Sequence, residues 1–350
     1  CFAADCPPAV RALEIYKTKG EHGMCTAITY KTKDHYFGRN LDLEYSYKET
    51  VTVTPRNYVF DFRKMGKLES HFAMVGMAYI ADGYPLYYDA TNEKGLSAAG
   101  LNFPENADYK AYCDGKENVA PFELIPWLLG QCATVADAEK LLAKINLLNE
   151  NFSDELPLSP LHWIISDRER SITLESVKSG VKIYENPVGV LTNNPTFDYH
   201  LFNLNNYMSL SKGDPQNTFF GEGQEISLKT YSRGMGALGL PGDASSMSRF
   251  VKATFVKMNA RSGDSEEESV SQFFHILRSV EMQRGCVLLG NGLYEITVYS
   301  SCCNTDRGIY YYTTYDNSRI HAVDMHRENL QGSELIAYPL KKDLEIAYQN

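Results

Sequence analysis

No run of eighteen apolar residues occurs in the 350-residue chain, so no segment is long and apolar enough to cross a bilayer as a helix. Zinc-type cysteine pairing is also missing. Cys1, Cys6, Cys25, Cys113, Cys132, Cys286, Cys302 and Cys303 are scattered, and the adjacent Cys302 and Cys303 do not make a CxxC pair. The histidines form no HExxH, and the glycines of YSRGMGALGLPG lack the Lys-Ser/Thr end of a phosphate-binding loop, so the pattern calls for no metal and no cofactor. Positive charge is short: 34 Lys and Arg stand against 44 Asp and Glu, and a net charge of -10 opposes nonspecific binding to nucleic acid or to an anionic membrane. Residues 1–24 lack the apolar core of a secretory signal, because charged and polar residues interrupt every short run. There is no internal repeat or low-complexity segment.

What is present fits a soluble globular chain: 43% hydrophobic and 22% charged residues, over a length sufficient for one large domain or two ordinary ones. Cysteines scattered among apolar neighbours read as free thiols of a reducing compartment, so a cytoplasmic location is expected.

The stretch MCTAITYKTKDHYFGRNLDLEYS, from Met24, organises the reading. If Cys25 is the first residue of the working chain, it carries both a thiol and a free α-amine. Their reference pKa values, about 8.5 and about 7.7 to 8.0, make proton transfer between them nearly isoenergetic, and no distant histidine is needed as base. Residues 1–24 are then a removable propeptide, a cloning remnant, or translation assigned from too far upstream. The alternative is an ordinary extension with a buried Cys25, which would remove the amine.

Cys25 to Tyr30 is rich in strand formers, and Asp34 and His35 mark a turn before Tyr36 to Arg39. Such a hairpin would bring Arg39 and Asp42 back beside Cys25. Further strands are expected at Val51–Thr54, Phe72–Ile80, Tyr84–Tyr88, Leu161–Ser166, Ser171–Val177, Val181–Tyr184, Leu293–Ser300 and Ile309–Thr314. NEKGLSAAGLNFP, residues 92–104, reads as tight turns or close backbone approach around Gly95 and Gly100. A helix capped by Thr134, a shorter one over Phe122–Leu129, and two more over Met247–Met258 and Ser269–Met282 complete the pattern, with TNNP (192–195) and CCNTDRG (302–308) as turns and 211–245 as long loops. Blocks of hairpins alternating with helical pairs are not βαβ units. They fit two antiparallel sheets covered by helices on both outer faces, an α+β arrangement.

Several polar residues could serve Cys25 chemistry. Asp42 could hold the amine, Arg39 could stabilise a thiolate, and Asn102 could donate to an oxyanion. Asn193 or Asn194 could help that hole or fix the amine, and Arg249 could order the acidic side. Taken singly, Arg39 with Asp42 is as well explained by a salt bridge, and TNNP by a plain turn.

Taken together and in order, MCT (24–26), FGRNLD (37–42), NEKGLSAAGLNFP (92–104), LTNNPTFDYHLFNLNNY (191–207) and YSRGMGALGLPGDASSMSRF (231–250) resemble the choloylglycine hydrolase family, and within it the bile salt hydrolases. The resemblance runs from Met24 to Asn350. It implies the four-layer αββα sandwich of N-terminal-nucleophile hydrolases, with residues 25–350 as one catalytic domain. It also implies hydrolysis of glycine- or taurine-conjugated bile salts through a Cys25 thioester, and a homotetramer. Carried over by motif, Cys25 is nucleophile and base, Arg39 and Asp42 are its charged partners, Asn102 is the oxyanion donor, Asn193 is the second asparagine with Asn194 as the alternative, and Arg249 is the late arginine. The prefix before Met24 departs from the family pattern. Tyr45, Phe60, Phe72 and Tyr79 are candidates for an apolar steroid wall, or else core. Penicillin V or N-acyl homoserine lactone acylase action, and a noncatalytic bile-acid-binding protein, are the alternative readings.

Overall fold

The computed structural model describes residues 23–220, 226–290 and 292–350. Most of the 1–24 extension expected from the sequence, including Cys1 and Cys6, lies outside the described residues. Strands β1 (Cys25–Lys31) and β2 (His35–Leu43) form the expected hairpin, followed by β3 (Thr50–Thr54) and a small ribbon of β4 (Phe60–Phe62) and β5 (Gly66–Leu68). Next come β6 (Met74–Ala81), β7 (Tyr84–Asn92) and β8 (Ser97–Asn102), then β9 (Glu117–Val119), helix α1 (Leu124–Gln131), helix α2 (Val135–Leu142) and β10 (Ile145–Leu147). The second half runs β11 (Leu161–Ser166), β12 (Ser171–Val177), β13 (Gly180–Glu185), β14 (Val190–Leu191), α3 (Phe197–Asn203), α4 (Ser246–Asn259) and α5 (Glu266–Arg278). It closes with β15 (Ile296–Asn304), β16 (Ile309–Thr314), β17 (His321–Asp324) and β18 (Ile336–Pro339).

Two antiparallel sheets dominate. One has six strands in the order β14-β1-β2-β15-β16-β17, the other eight in the order β13-β12-β11-β8-β7-β6-β3-β18. Ala27 and Leu41 of the first share one buried cluster with Val51, Val75, Met77, Ala99 and Ile164 of the second, so the sheets stack face to face. Phe250 and Phe273, from α4 and α5, bury against the outer face of the first sheet, while Trp127, Leu128 and Ala138, from α1 and α2, do so on the second. The result is the αββα sandwich that the block order implied.

Local chemistry sets the boundaries. Thr134 caps α2 by accepting the Asp137 N–H. Pro126 sits in the first turn of α1, where an N–H would have no partner inside that helix. Helix α5 starts three residues earlier than expected and stops at Arg278: Ser265 and Glu268 form a capping box, and Glu266 to Glu268 occupy the positive end of the helix.

Other expectations are corrected. In NEKGLSAAGLNFP Gly95, with φ +89, is the turn glycine, whereas Gly100 lies in the interior strand Ser97–Asn102 and takes the close-approach alternative, with Trp163 Nε1 3.1 Å from where its Cβ would be. Cys302, Cys303 and Asn304 are not in a turn but end β15, where small side chains fit fully buried between layers; the turn itself is Thr305–Gly308. Helix α3 and strands β17 and β18 had no periodic signal, being short and, for the strands, at sheet edges.

Candidate active site

The β1–β2 hairpin pairs Cys25 with Leu41 and Ala27 with Arg39, which folds the FGRNLD stretch back over the start of β1. Eight of the nine residues of β2 are buried, because it lies between the second sheet and the α4–α5 layer, so its polar side chains must find partners inside. Asn40 faces the helices, donating to the Leu277 carbonyl and accepting from Ser300. Arg39 faces the other sheet, donating to the carbonyls of Tyr88 at 3.0 Å and Gly100 at 2.5 Å and to Cys25 Sγ. Among the described residues no ion pair joins Arg39 to Asp42. The salt-bridge alternative is therefore replaced by an arginine held by backbone carbonyls and pointed at sulfur.

Burial pushes the Cys25 thiol up, and Arg39 pulls the other way. Burial also opposes the Arg39 charge, but the surrounding Cys25, Tyr299, Asp89 and Asp42 more than offset it and keep the guanidinium firmly protonated. The resting sulfur is thus a thiol beside a fixed cation, and it needs a proton acceptor to become a nucleophile.

Asn193 touches the backbone of the same residue. Its Oδ1 accepts the Cys25 N–H at 2.9 Å and Arg249 Nη2 at 2.7 Å, which fixes the amide orientation, and its Nδ2 donates to the Asn102 carbonyl at 2.8 Å. Asn194 instead donates to the Pro104 carbonyl at 2.8 Å, so of the two alternatives Asn193 is the one at Cys25. Arg249 lies in the first turns of α4, buried, and donates to the Cys25 carbonyl at 2.5 Å and to Thr26 Oγ1 at 2.7 Å. Burial lowers its pKa, with Asp42, Cys25 and Glu295 opposing.

Asp42 accepts the Thr297 hydroxyl at 2.6 Å through Oδ1, while its buried Oδ2 has no partner among the described residues. Burial raises its pKa to about 7 against the pull of Arg249. Its backbone N–H donates to the Met24 carbonyl at 2.9 Å. Asn102, at the end of β8, donates Nδ2 to the Gly23 carbonyl at 2.6 Å. The other five residues singled out from the sequence therefore converge on Cys25 or on the two residues before it.

A cavity opens beside Cys25, lined by Gly23, Arg39 and Asn102 and by apolar groups including Leu41, Tyr79, Phe122, Ile125, Phe152 and Trp163. Of the four aromatic candidates only Tyr79 lines it. Phe60 is buried in the core beneath α1, Phe72 packs under the Lys94 ammonium, and Tyr45 packs on Tyr47. Sequence reasoning missed Glu295, Thr297 and the buried Asp89, which takes the hydroxyls of Tyr299 and Tyr310 at 2.8 and 2.7 Å behind Arg39. None of these lies in a recognisable motif; each is one polar residue in or beside an apolar strand.

The model of the family described as linear amide C–N hydrolases, choloylglycine hydrolase family, matches residues 25–338. A bile salt hydrolase/transferase of Lactiplantibacillus plantarum is 58% identical over 322 residues, covering 92% of this chain and 98% of the relative. A bile salt hydrolase/transferase of Clostridium perfringens is 38% identical over 332 residues, covering 93% of this chain and 100% of the relative. The crystal structure of an arginine-to-leucine variant of conjugated bile acid hydrolase from Clostridium perfringens superposes with a TM-score of 0.85 at 36% identity, covering 93% of this chain and 100% of that one.

Proposed function

Because the chain belongs to the choloylglycine hydrolase family of linear amide C–N hydrolases, we propose that it hydrolyses the amide bond of glycine- or taurine-conjugated bile salts through a thioester on Cys25. The observation that carries this is the set of contacts around one residue: Arg39 on its sulfur, Asn193 on its nitrogen and Arg249 on its carbonyl. An apolar cavity beside an anchored cysteine suits a steroid body joined to a polar conjugate.

The active enzyme in this reading lacks residues 1–24. The Cys25 nitrogen is then an amine rather than a peptide amide, and Asn102 Nδ2, the Asp42 N–H and Glu295 lose their contacts with Gly23 and Met24 and are available to substrate and water. Asn193 Oδ1 still accepts an amine hydrogen, which turns the nitrogen lone pair toward the thiol proton. The amine takes that proton, and sulfur, stabilised by Arg39, forms a bond to the amide carbonyl carbon. Asn102 Nδ2 stabilises the oxyanion. The carbon–nitrogen bond breaks as the ammonium returns its proton to the leaving nitrogen, giving a thioester and free glycine or taurine. Water, deprotonated by the same amine, then attacks the thioester; the carbon–sulfur bond breaks, and bile acid and thiol are regenerated.

The enzyme acts as a cytoplasmic homotetramer. Exposed apolar side chains on α3 and the loops after it, Phe202, Met208, Phe219 and Tyr231, support association. Among the described residues no helix is long and apolar enough to cross a membrane.

Intact mass and N-terminal sequencing of active enzyme, combined with a glycocholate and taurocholate release assay, test the reading. The expected result is a chain beginning at Cys25 that releases glycine or taurine. A fully active chain that retains residues before Cys25 would overturn the amine mechanism, and turnover of penicillin V or N-acyl homoserine lactones in place of bile salts would overturn the substrate.

A further inference from the structure

Glu295 stands immediately before β15 with 1% of its surface exposed, and no motif reading assigns it a role. Its Oε1 accepts the backbone N–H of Met24. Asn102 Nδ2 donates to the carbonyl oxygen of Gly23. These two contacts fall on one amide, because the Gly23 oxygen and the Met24 nitrogen are the polar atoms of a single peptide bond. In a trans amide the C=O and N–H point in opposite directions within one plane. Asn102 and Glu295 therefore grip opposite edges of that plane, a donor on the carbonyl edge and an acceptor on the N–H edge, and Gly23 and Asn102 line the same cavity as Cys25.

A conjugated bile salt presents the same unit, a secondary amide with one carbonyl oxygen and one N–H. We propose that Glu295 is a substrate-binding residue that accepts the N–H of the scissile amide while Asn102 takes its carbonyl oxygen. The inference rests on the amidase reading above and adds to it a reason for preferring secondary amides over esters. An ester of the same shape has no hydrogen to give, so the bond that the Glu295 oxygen accepts from an amide N–H is lost.

The carboxyl can fill this role without repelling an anionic conjugate. Burial, with the Asp42 charge adding to it, pushes Glu295 up to about 8, so the group is largely neutral at pH 7 and one of its oxygens still accepts. The Arg249 charge limits the rise in both acids.

The test compares kcat/KM for glycocholate with that for the isosteric ester of cholate and glycolate, in wild type, Glu295→Ala and Glu295→Gln, each purified in active form with its N-terminus established. The expected result is that Glu295→Ala reduces the amide-over-ester ratio by about tenfold, the effect of one hydrogen bond at the transition state. Glu295→Gln keeps a carbonyl acceptor and should restore most of the ratio. An unchanged ratio in Glu295→Ala, whether both substrates slow equally or neither does, would overturn the assignment and leave Glu295 a structural group. If wild type releases no glycine from glycocholate, the amidase reading fails first, and the Glu295 assignment fails with it.

Discussion

Asn193 holds Cys25 by its backbone nitrogen: the Cys25 N–H donates to Asn193 Oδ1 at 2.9 Å, across 168 residues of sequence. The same oxygen takes Arg249 Nη2, so its orientation is dictated by a cation that cannot accept. In the proposed enzyme this contact aims the base. Asn193→Ala is expected to lower kcat by about a hundredfold, the lower end of what a positioned base contributes, with a smaller change in KM. Steady-state kinetics on glycocholate check this, and a loss confined to KM would show that Asn193 binds substrate rather than orients the amine.

Asn102 has a different part in the proposal and a separable signature. Its Nδ2 is occupied by the Gly23 carbonyl and is not committed to holding the fold. Asn102→Ala should therefore fold with near-normal melting temperature while turnover drops by about a hundredfold or more, as for other lost oxyanion donors. Near-normal kcat with unchanged substrate affinity would reject the role.

The proposed tetramer gives a third expectation. Phe202, on α3, and Met208, just after it, leave 74% and 87% of their surfaces exposed and are the apolar groups chosen to test the proposed interface. If the proposed tetramer uses that surface, charging it with Phe202→Glu and Met208→Glu should shift sedimentation toward smaller species while the monomer fold persists by circular dichroism. A tetramer that survives both substitutions would place its interface elsewhere.

The parts of the site that were legible in sequence are those carried by short-range order. Strand formers on either side of Asp34 and His35 announce the β1–β2 hairpin, and a hairpin puts Arg39 and Asp42 beside Cys25 by register alone. Arg39's other partners were not legible, because the Tyr88 and Gly100 carbonyls come from the opposite sheet and only the stacking of the layers brings them near. Glu295 is the extreme case: it meets Met24 across 271 residues, and on the page it is merely a glutamate before an apolar strand. Cys302 and Cys303 misled for the opposite reason. A polar stretch follows them, so they read as part of a turn, whereas burial between layers selects small side chains at the end of a central strand.

Asp42 makes stability depend on pH in a direction that can be worked out. Burial raises its folded-state pKa from the ordinary 3.8 to about 7, so between those values the folded chain binds a proton that the unfolded chain has released. Stability falls with rising pH wherever the folded state holds more protons, and the stabilisation present at low pH is lost progressively from about pH 4 to about pH 7. Glu295, raised to about 8, acts in the same sense and extends the window upward. Asp42→Asn removes one of these titrations and still offers an oxygen to the Thr297 hydroxyl. Thermal unfolding of the chain that retains the residues before Cys25, across pH 5 to about pH 8, should therefore show a steeper decline in wild type than in Asp42→Asn, with a difference on the order of a few kcal/mol in stability at the upper end. The same substitution should depress turnover, since the unpartnered Oδ2 is the carboxylate oxygen free to meet the Cys25 ammonium, and a variant more stable at high pH but slower would separate the two roles. Parallel pH profiles for the two proteins would mean that Asp42 is not the group whose ionisation opposes folding.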